Sequence, residues 1–317
     1  MALPIVMLCV LCILPMSDNA EIQLTPDRSI QDALSKAQPG DTIFLEPGLY
    51  NQSFDTVRHG TKEKPITLKG NKHSIVIGDG RHRVIQVFHD NIHLIGFKVD
   101  GLNGPPVEEN FAGKLVYAQG NETIDGLKII NMTFNNSGGE ALRLRNCHNA
   151  EVVNSTFFNT GVHDFRFNDT GKNGEAIYIG TSSNDWEIPD ESSGNWIHHN
   201  FFNTQGNECV DVKEGSHNNI IEYNNCTGQK DINSSGISIR GDNNTIRNNV
   251  VYSNLGAGIR LGGNKVGDVR YGKNNKVYNN TLFNNSVEEI KILVQPQKIH
   301  DNKIEEREKT DFPDFSI

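Results

Sequence analysis

Cys209-Val210-Asp211-Val212-Lys213 and, further along, Gly236-Ile237-Ser238-Ile239-Arg240 are one five-residue phrase written twice. Three more copies stand at Ala141-Leu142-Arg143-Leu144-Arg145, Ala176-Ile177-Tyr178-Ile179-Gly180 and Gly258-Ile259-Arg260-Leu261-Gly262. In each, two aliphatic residues alternate with other types, the period of a strand that sends successive side chains to opposite faces. Between the copies runs a second phrase, seen in Ile197 to Phe202, Ile221 to Cys226, Ile246 to Val251 and Val277 to Leu282. Its asparagines Asn200, Asn224 and Asn249 recur at intervals of 24 and 25 residues. A unit of that length cannot bury its own apolar face and must stack on its neighbours. The expected fold is all-β, a single-stranded right-handed parallel β-helix. Asparagine suits such a stack, because it tolerates left-handed turns and forms hydrogen-bonded ladders.

Working outward, Ser29 to Ala37 reads as a short amphipathic helix ended by Gln38-Pro39-Gly40, a lid for the open apolar end of the stack. Strands are expected at Thr42 to Leu45, Ile66 to Leu68, Ser74 to Ile77, Val84 to Phe88 and Ile92 to Val99. Leu3 to Met16 is an apolar run of signal-peptide length, with a small residue, Ala20, at the cut. Residues 1–20 are read as a signal peptide and 21–317 as one secreted, monomeric domain. The run is shorter than the roughly 20 residues of a spanning helix, so no membrane association is expected.

Of five cysteines, Cys9 and Cys12 fall in the leader. Cys147, Cys209 and Cys226 remain, with one bridge or buried free thiols both open. Among the glycosylation sequons, Asn154 and Asn225 are assigned to ladder composition, and Asn51, Asn121 and Asn233 to loops that would carry glycans. The formal net charge of −9 removes the footprint of a nucleic-acid binder. An acidic ligand would then need a local basic patch or a bridging cation.

The period breaks between Asn154 and Asn200, where one coil takes 46 residues. The excess reads as two loops, Gly161 to Asn173 and Thr181 to Asn195, carrying Asp164, Arg166, Trp186 and Asp190, with a smaller excursion at Gly263 to Asn274. Such insertions often project on the binding face. Strand alternation turns Asp211, Lys213, Ser238, Arg240 and Arg260 outward. Lys213 and Arg240 share one row, and Asp211, Ser238 and Arg260 another. Glu140, Glu175 and Glu208 precede the strands at equivalent positions, and stacked carboxylates at that spacing suit Ca²⁺. Tyr178, Asp211, Ser238, Arg260 and Trp186 are the candidate substrate contacts. His163, His198 and His199 are read as solvated turn residues.

The phrase Asn207-Glu208-Cys209-Val210-Asp211-Val212-Lys213, followed by Gly236 to Arg240, resembles the active-site coils of polysaccharide lyase family six, which holds chondroitinase B and alginate lyases. Ile30 to Tyr50 and Gly60 to Leu68 resemble that family's first coils. The resemblance implies β-elimination on a uronate polymer such as alginate, a glycosaminoglycan or pectate. It makes Lys213 the base, Arg240 the group at the leaving oxygen and Glu208 a calcium ligand, with Glu175 and Asn207 completing the metal set. Asp211 and Gly258 to Gly263 also resemble family-nine pectate lyases, with Arg260 in the place of their lysine. A C5-epimerase, a glycosidase using Asp164, Asp211 or Glu208, and a non-catalytic carbohydrate-binding β-helix stay open as alternatives.

Overall fold

The computed structural model describes residues 19–120, 122–168 and 172–305. Apart from Asn19 and Ala20, the expected signal peptide lies outside the described residues, as does Asn121. Three parallel sheets run along the chain. One holds eleven strands from Glu21–Leu24 to Lys298–His300, a second ten from Gly48–Tyr50 to Lys303–Glu305, and a third nine from Phe54–Asp55 to Ile290–Ile292. Strands pair with those one coil away, as the period predicts, and the five quoted phrases form consecutive strands of the nine-stranded sheet.

The core follows from that register. Ile85, Val116, Leu142, Ile177, Val210, Ile237 and Ile259 stack in one inward row, and all are fully buried. Phe134, Phe157 and Phe202 stack in another row with ring centroids 4.7 and 4.9 Å apart, close to the ~4.8 Å between paired strands. The capping helix spans Ile30–Lys36. Ser29 accepts a hydrogen bond from the Asp32 amide at 3.0 Å, and Ile30, Ala33 and Leu34 are buried. Glu21–Leu24, paired with Thr42–Leu45, is a strand the sequence reading does not anticipate. Ile92 to Val99 is two strands, Ile92–Ile95 and Lys98–Asp100. The corner is at Gly96, with φ +80°, where a Cβ would sit 2.6 Å from the Gly70 carbonyl oxygen.

Turn and ladder duties, expected of the same asparagines, fall on adjacent residues. His199, Tyr223, Asn248 and Asn279 take the left-handed conformation, with φ between 54° and 56°. The next residues, Asn200, Asn224, Asn249 and Asn280, are buried. Each of the first three donates through Nδ2 to the Oδ1 of the next at 3.0 Å, and its own backbone amide donates to that same oxygen. A second ladder joins Asn195, Asn219, Asn244 and Asn275. Asn154 and Asn225, assigned above to ladders, are exposed instead. Asn154 holds a left-handed turn with φ +51°, and Asn225 points outward from a strand. Asn51 and Asn233 are exposed, as expected. Cys209 and Cys226 form a disulfide closing 17 residues, and Cys147 is a free, buried thiol.

This division of labour predicts unequal mutational costs. Asn224→Ala removes the acceptor for the Asn200 amide and the donor to the Ile197 carbonyl, and is expected to destabilise by roughly 2–4 kcal/mol. Asn248→Gly keeps a left-handed turn open to any residue without a Cβ and is expected to change stability by less than about 1 kcal/mol. Urea unfolding of both variants checks this, and equal losses would refute the split.

Candidate active site

Three outward rows of the nine-stranded sheet carry the polar residues. The first runs Arg83, Lys114, Glu140, Glu175, Glu208, the second Gln86, Tyr117, Arg143, Tyr178, Asp211, Ser238, Arg260, Lys291. The third continues one residue past the strand ends, with Arg145, Gly180, Lys213 and Arg240. Row membership matches the sequence reading. Exposure does not: Asp211 is 1% and Lys213 7% exposed, because the outward side chains pack against one another.

Glu175, Glu208 and Asp211 offer carboxylate oxygens all within 4.8 Å of one another. Burial pushes Glu175 up to about 8, against the pull of Lys213. Burial and the neighbouring Asp211 raise Glu208 as well. Burial would also raise Asp211, but Lys213, Arg240 and Arg260 outweigh it and hold this carboxyl below the usual range. The Lys213 ammonium contacts Asp211, lies 3.7 Å from Glu175 Oε1 and sits 4.2 Å from the centre of the Tyr178 ring. Burial would lower its pKa, yet Asp211 and Glu175 raise it above that of a free lysine. The site therefore holds an Asp211–Lys213 ion pair beside two carboxyl groups that favour their protons.

The oxygen donors fit a hard divalent cation. Glu208 Oε2, Asp211 Oδ1 and Asn207 Oδ1 are buried and receive no hydrogen bond, a cost that a bound ion removes. Asn207 donates to the Lys172 carbonyl at 3.0 Å, which leaves its oxygen available. Arg260 donates to Ser238 Oγ at 3.0 Å and approaches Glu208 at 3.7 Å. Thus Tyr178, Asp211, Ser238, Arg260, Lys213, Glu175 and Glu208 gather in one place.

A family model described as the right-handed β-helix region matches residues 114–304. The chain belongs to the right-handed β-helix family. No curated protein matches its sequence. Among solved structures, this β-helix resembles an alginate lyase from Paenibacillus sp. str. FPU-7, at 21% identity and TM-score 0.77, over 90% of this chain and 95% of that one. It also resembles pectate lyase Pel9A (13%, TM-score 0.62, covering 91% and 80%) and a rhamnogalacturonan lyase (13%, TM-score 0.58, covering 91% and 87%).

Several residues of this β-helix depart from the sequence reading. Arg240 shares a row with Lys213, but its Nε and Nη2 both bind Glu214 Oε1, at 2.8 and 2.6 Å. Glu214, which the sequence reading missed, is fully buried. It also accepts from the Asn264 amide at 2.9 Å and the Ser183 amide at 3.4 Å, so one carboxylate ties Arg240 to two of the loops. Its only sequence signal is its place beside Lys213. Trp186 donates to the Thr181 carbonyl at 2.9 Å and packs edge-on against Tyr271. It staples loops together, and its indole N–H is spent there. Asp190 accepts from Thr181, Ser192 and the Asn146 amide, anchoring the same loop. Asp164 accepts from Asn173 and closes the other. His198 is buried, not solvated, and stacks on Trp196 at 3.7 Å.

Glu214→Ala leaves Arg240 without its partner and releases both loops. The expected loss is about 3–5 kcal/mol, the usual cost of breaking a buried pair. Limited proteolysis should then cut within 181–195 and 263–274 before any strand is cut, and an unchanged cleavage pattern would sink the assignment.

Proposed function

We propose that this protein is a secreted polysaccharide lyase that cleaves a uronate-containing chain by β-elimination. The observation that carries the reading is the buried Lys213 ammonium set between the Glu175–Glu208–Asp211 carboxylates and the Tyr178 ring. The alginate, pectate and rhamnogalacturonan lyases of like fold support it, as does an anionic substrate's match to Lys213, Arg240 and Arg260. Lys213 takes the proton on the carbon next to the uronate carboxylate. The carbon–oxygen bond at the adjacent ring position breaks, a double bond forms between those two carbons, and the leaving oxygen acquires a proton. Arg240 serves at that oxygen. Its Nη1 has no hydrogen bond among the described residues, and Glu214 holds the rest of the guanidinium in place. Arg260, Ser238 and Tyr178 position the chain.

A base needs a neutral amine, and Asp211 and Glu175 oppose that. Calcium, held by Glu175, Glu208 and Asp211 with Asn207 beside them, would offset those charges and the charge that grows on the uronate carboxylate. The disulfide suits an oxidising compartment and supports secretion.

Alginate, chondroitin or dermatan sulfate, and pectate, each with and without calcium, test the reading by the ultraviolet absorbance of an unsaturated uronate. We expect a calcium-dependent rise that Lys213→Ala reduces at least about 100-fold. Calorimetry should show calcium binding that Glu208→Gln weakens. No absorbance with any uronate, but exchange of solvent deuterium into the polymer, would replace elimination by epimerisation.

A further inference from the structure

Toward the amino-terminal end of the same sheet, two guanidinium groups have no carboxylate partner among the described residues. Arg83 donates to the Gln86 side-chain oxygen at 2.9 Å and lies 3.8 Å from the centre of the Tyr117 ring. Arg145 reaches only the Gln119 side-chain oxygen, at 3.5 Å, and that same oxygen accepts from the Tyr117 hydroxyl. The five residues form one cluster across the strands Arg83–Val87, Lys114–Ala118 and Leu142–Leu144. Arg143 is pinned to Glu140 at 3.0 Å and lies over Tyr178 at 4.1 Å. Its Nε is buried without an acceptor. Glu140 also takes Lys114 at 2.6 Å, and Asp55, on the edge strand, accepts from the Gln86 side chain at 3.0 Å and pairs with Arg81 at 3.4 Å.

In this sheet Arg143, Arg240 and Arg260 each lie against a carboxylate, and Arg83 and Arg145 do not. Arginine held by amide oxygens keeps its charge and most of its donors, which suits it to planar carboxylates. The cluster spans the three rows that lead to Glu208, Asp211 and Lys213. The Arg83 strand is four strand steps from the Val210–Val212 strand, roughly 19 Å, and the Leu142–Leu144 strand that leads into Arg145 is two steps away, roughly 10 Å. One coil spacing is close to the length of one pyranose unit, so a polymer laid along the rows sets about one sugar on each coil.

We infer that Arg83, Tyr117 and Arg145 form a distal subsite that binds uronate carboxylates of the same polymer, with Arg145 about two and Arg83 about four sugars from the bond over Lys213. This rests on the uronate-lyase reading and extends it: the substrate is a long polyanion, gripped at two separated points. A chain of three sugars laid over Lys213 reaches the Arg145 coil but not Arg83. Arg83 supplies a stacked guanidinium, Arg145 a second one, and Tyr117 the face between them.

The test is calorimetric binding of oligouronates of graded length, from trimer to octamer, to Lys213→Ala, or to Lys213→Arg if the alanine variant does not fold. A matched neutral oligosaccharide is the control. The expected result is tighter binding as length increases, with Arg83→Gln weakening the octamer about tenfold and leaving the trimer unchanged, and Arg145→Gln weakening the octamer by a similar factor. The loss should shrink in high salt. Unfolding midpoints of the two variants should lie close to the parent's, since neither side chain has a carboxylate partner among the described residues. If the octamer binds the double variant as tightly as the parent, the distal subsite is wrong while the active-site reading stands. If neither the octamer nor the trimer binds the parent, the lyase reading itself falls, and this inference with it.

Discussion

Each strand of the three long sheets finds its backbone hydrogen-bond partners one coil away, and that constraint governs the rest. A fixed pairing distance repeats side chains of the same position every ~4.8 Å along the stack. Inside, the repeat is favourable, because like aliphatic and aromatic groups pack well on themselves. Outside, any charged position that recurs faces its own copy. Two carboxylates at that spacing repel on the order of 3 kcal/mol at an effective dielectric near 20, a sizeable part of a typical domain's net stability.

The protein answers this differently along one row. At Glu140 two cations, Lys114 and Arg143, close on a single carboxylate and hold it ionised. Glu175 and Glu208 have fewer such partners, and their pKa values are raised. A row that would be a liability throughout is thus neutralised by cations in one coil and by retained protons in the next two. The loops complete the arrangement. Glu214, Asp190 and Trp186 use their polar atoms to fasten insertions to the stack, so the walls beside the carboxylates are held by buried bonds and not by loop propensity.

The fold was legible in the sequence because stacking imposes a period, and a period survives any choice of outward residue. The register was legible too, since alternation and equivalence of phrases suffice to place Lys213 beside Arg240 and Glu175 beside Glu208. What the period does not carry is where a long side chain goes after leaving the strand. Nothing in the phrase Gly236 to Arg240 says that Arg240 turns toward Glu214, or that the nearby loop spends the Trp186 indole on its own backbone. The split between His199 or Tyr223 as turn residue and the following asparagine as ladder residue was likewise hidden. Asn-Asn pairs at 248–249 and 279–280 make the two roles look alike. The Cys209–Cys226 bridge links different rows of the core, and spacing alone left it undecided.

The carboxylate cluster sits on coils with several others stacked on both sides. In an array where a unit touches only its neighbours, thermal opening begins at the two ends and travels inward one unit at a time. A mid-stack location thus insulates the buried charges from fraying. The terminal coils act as padding that frays before the central coils open.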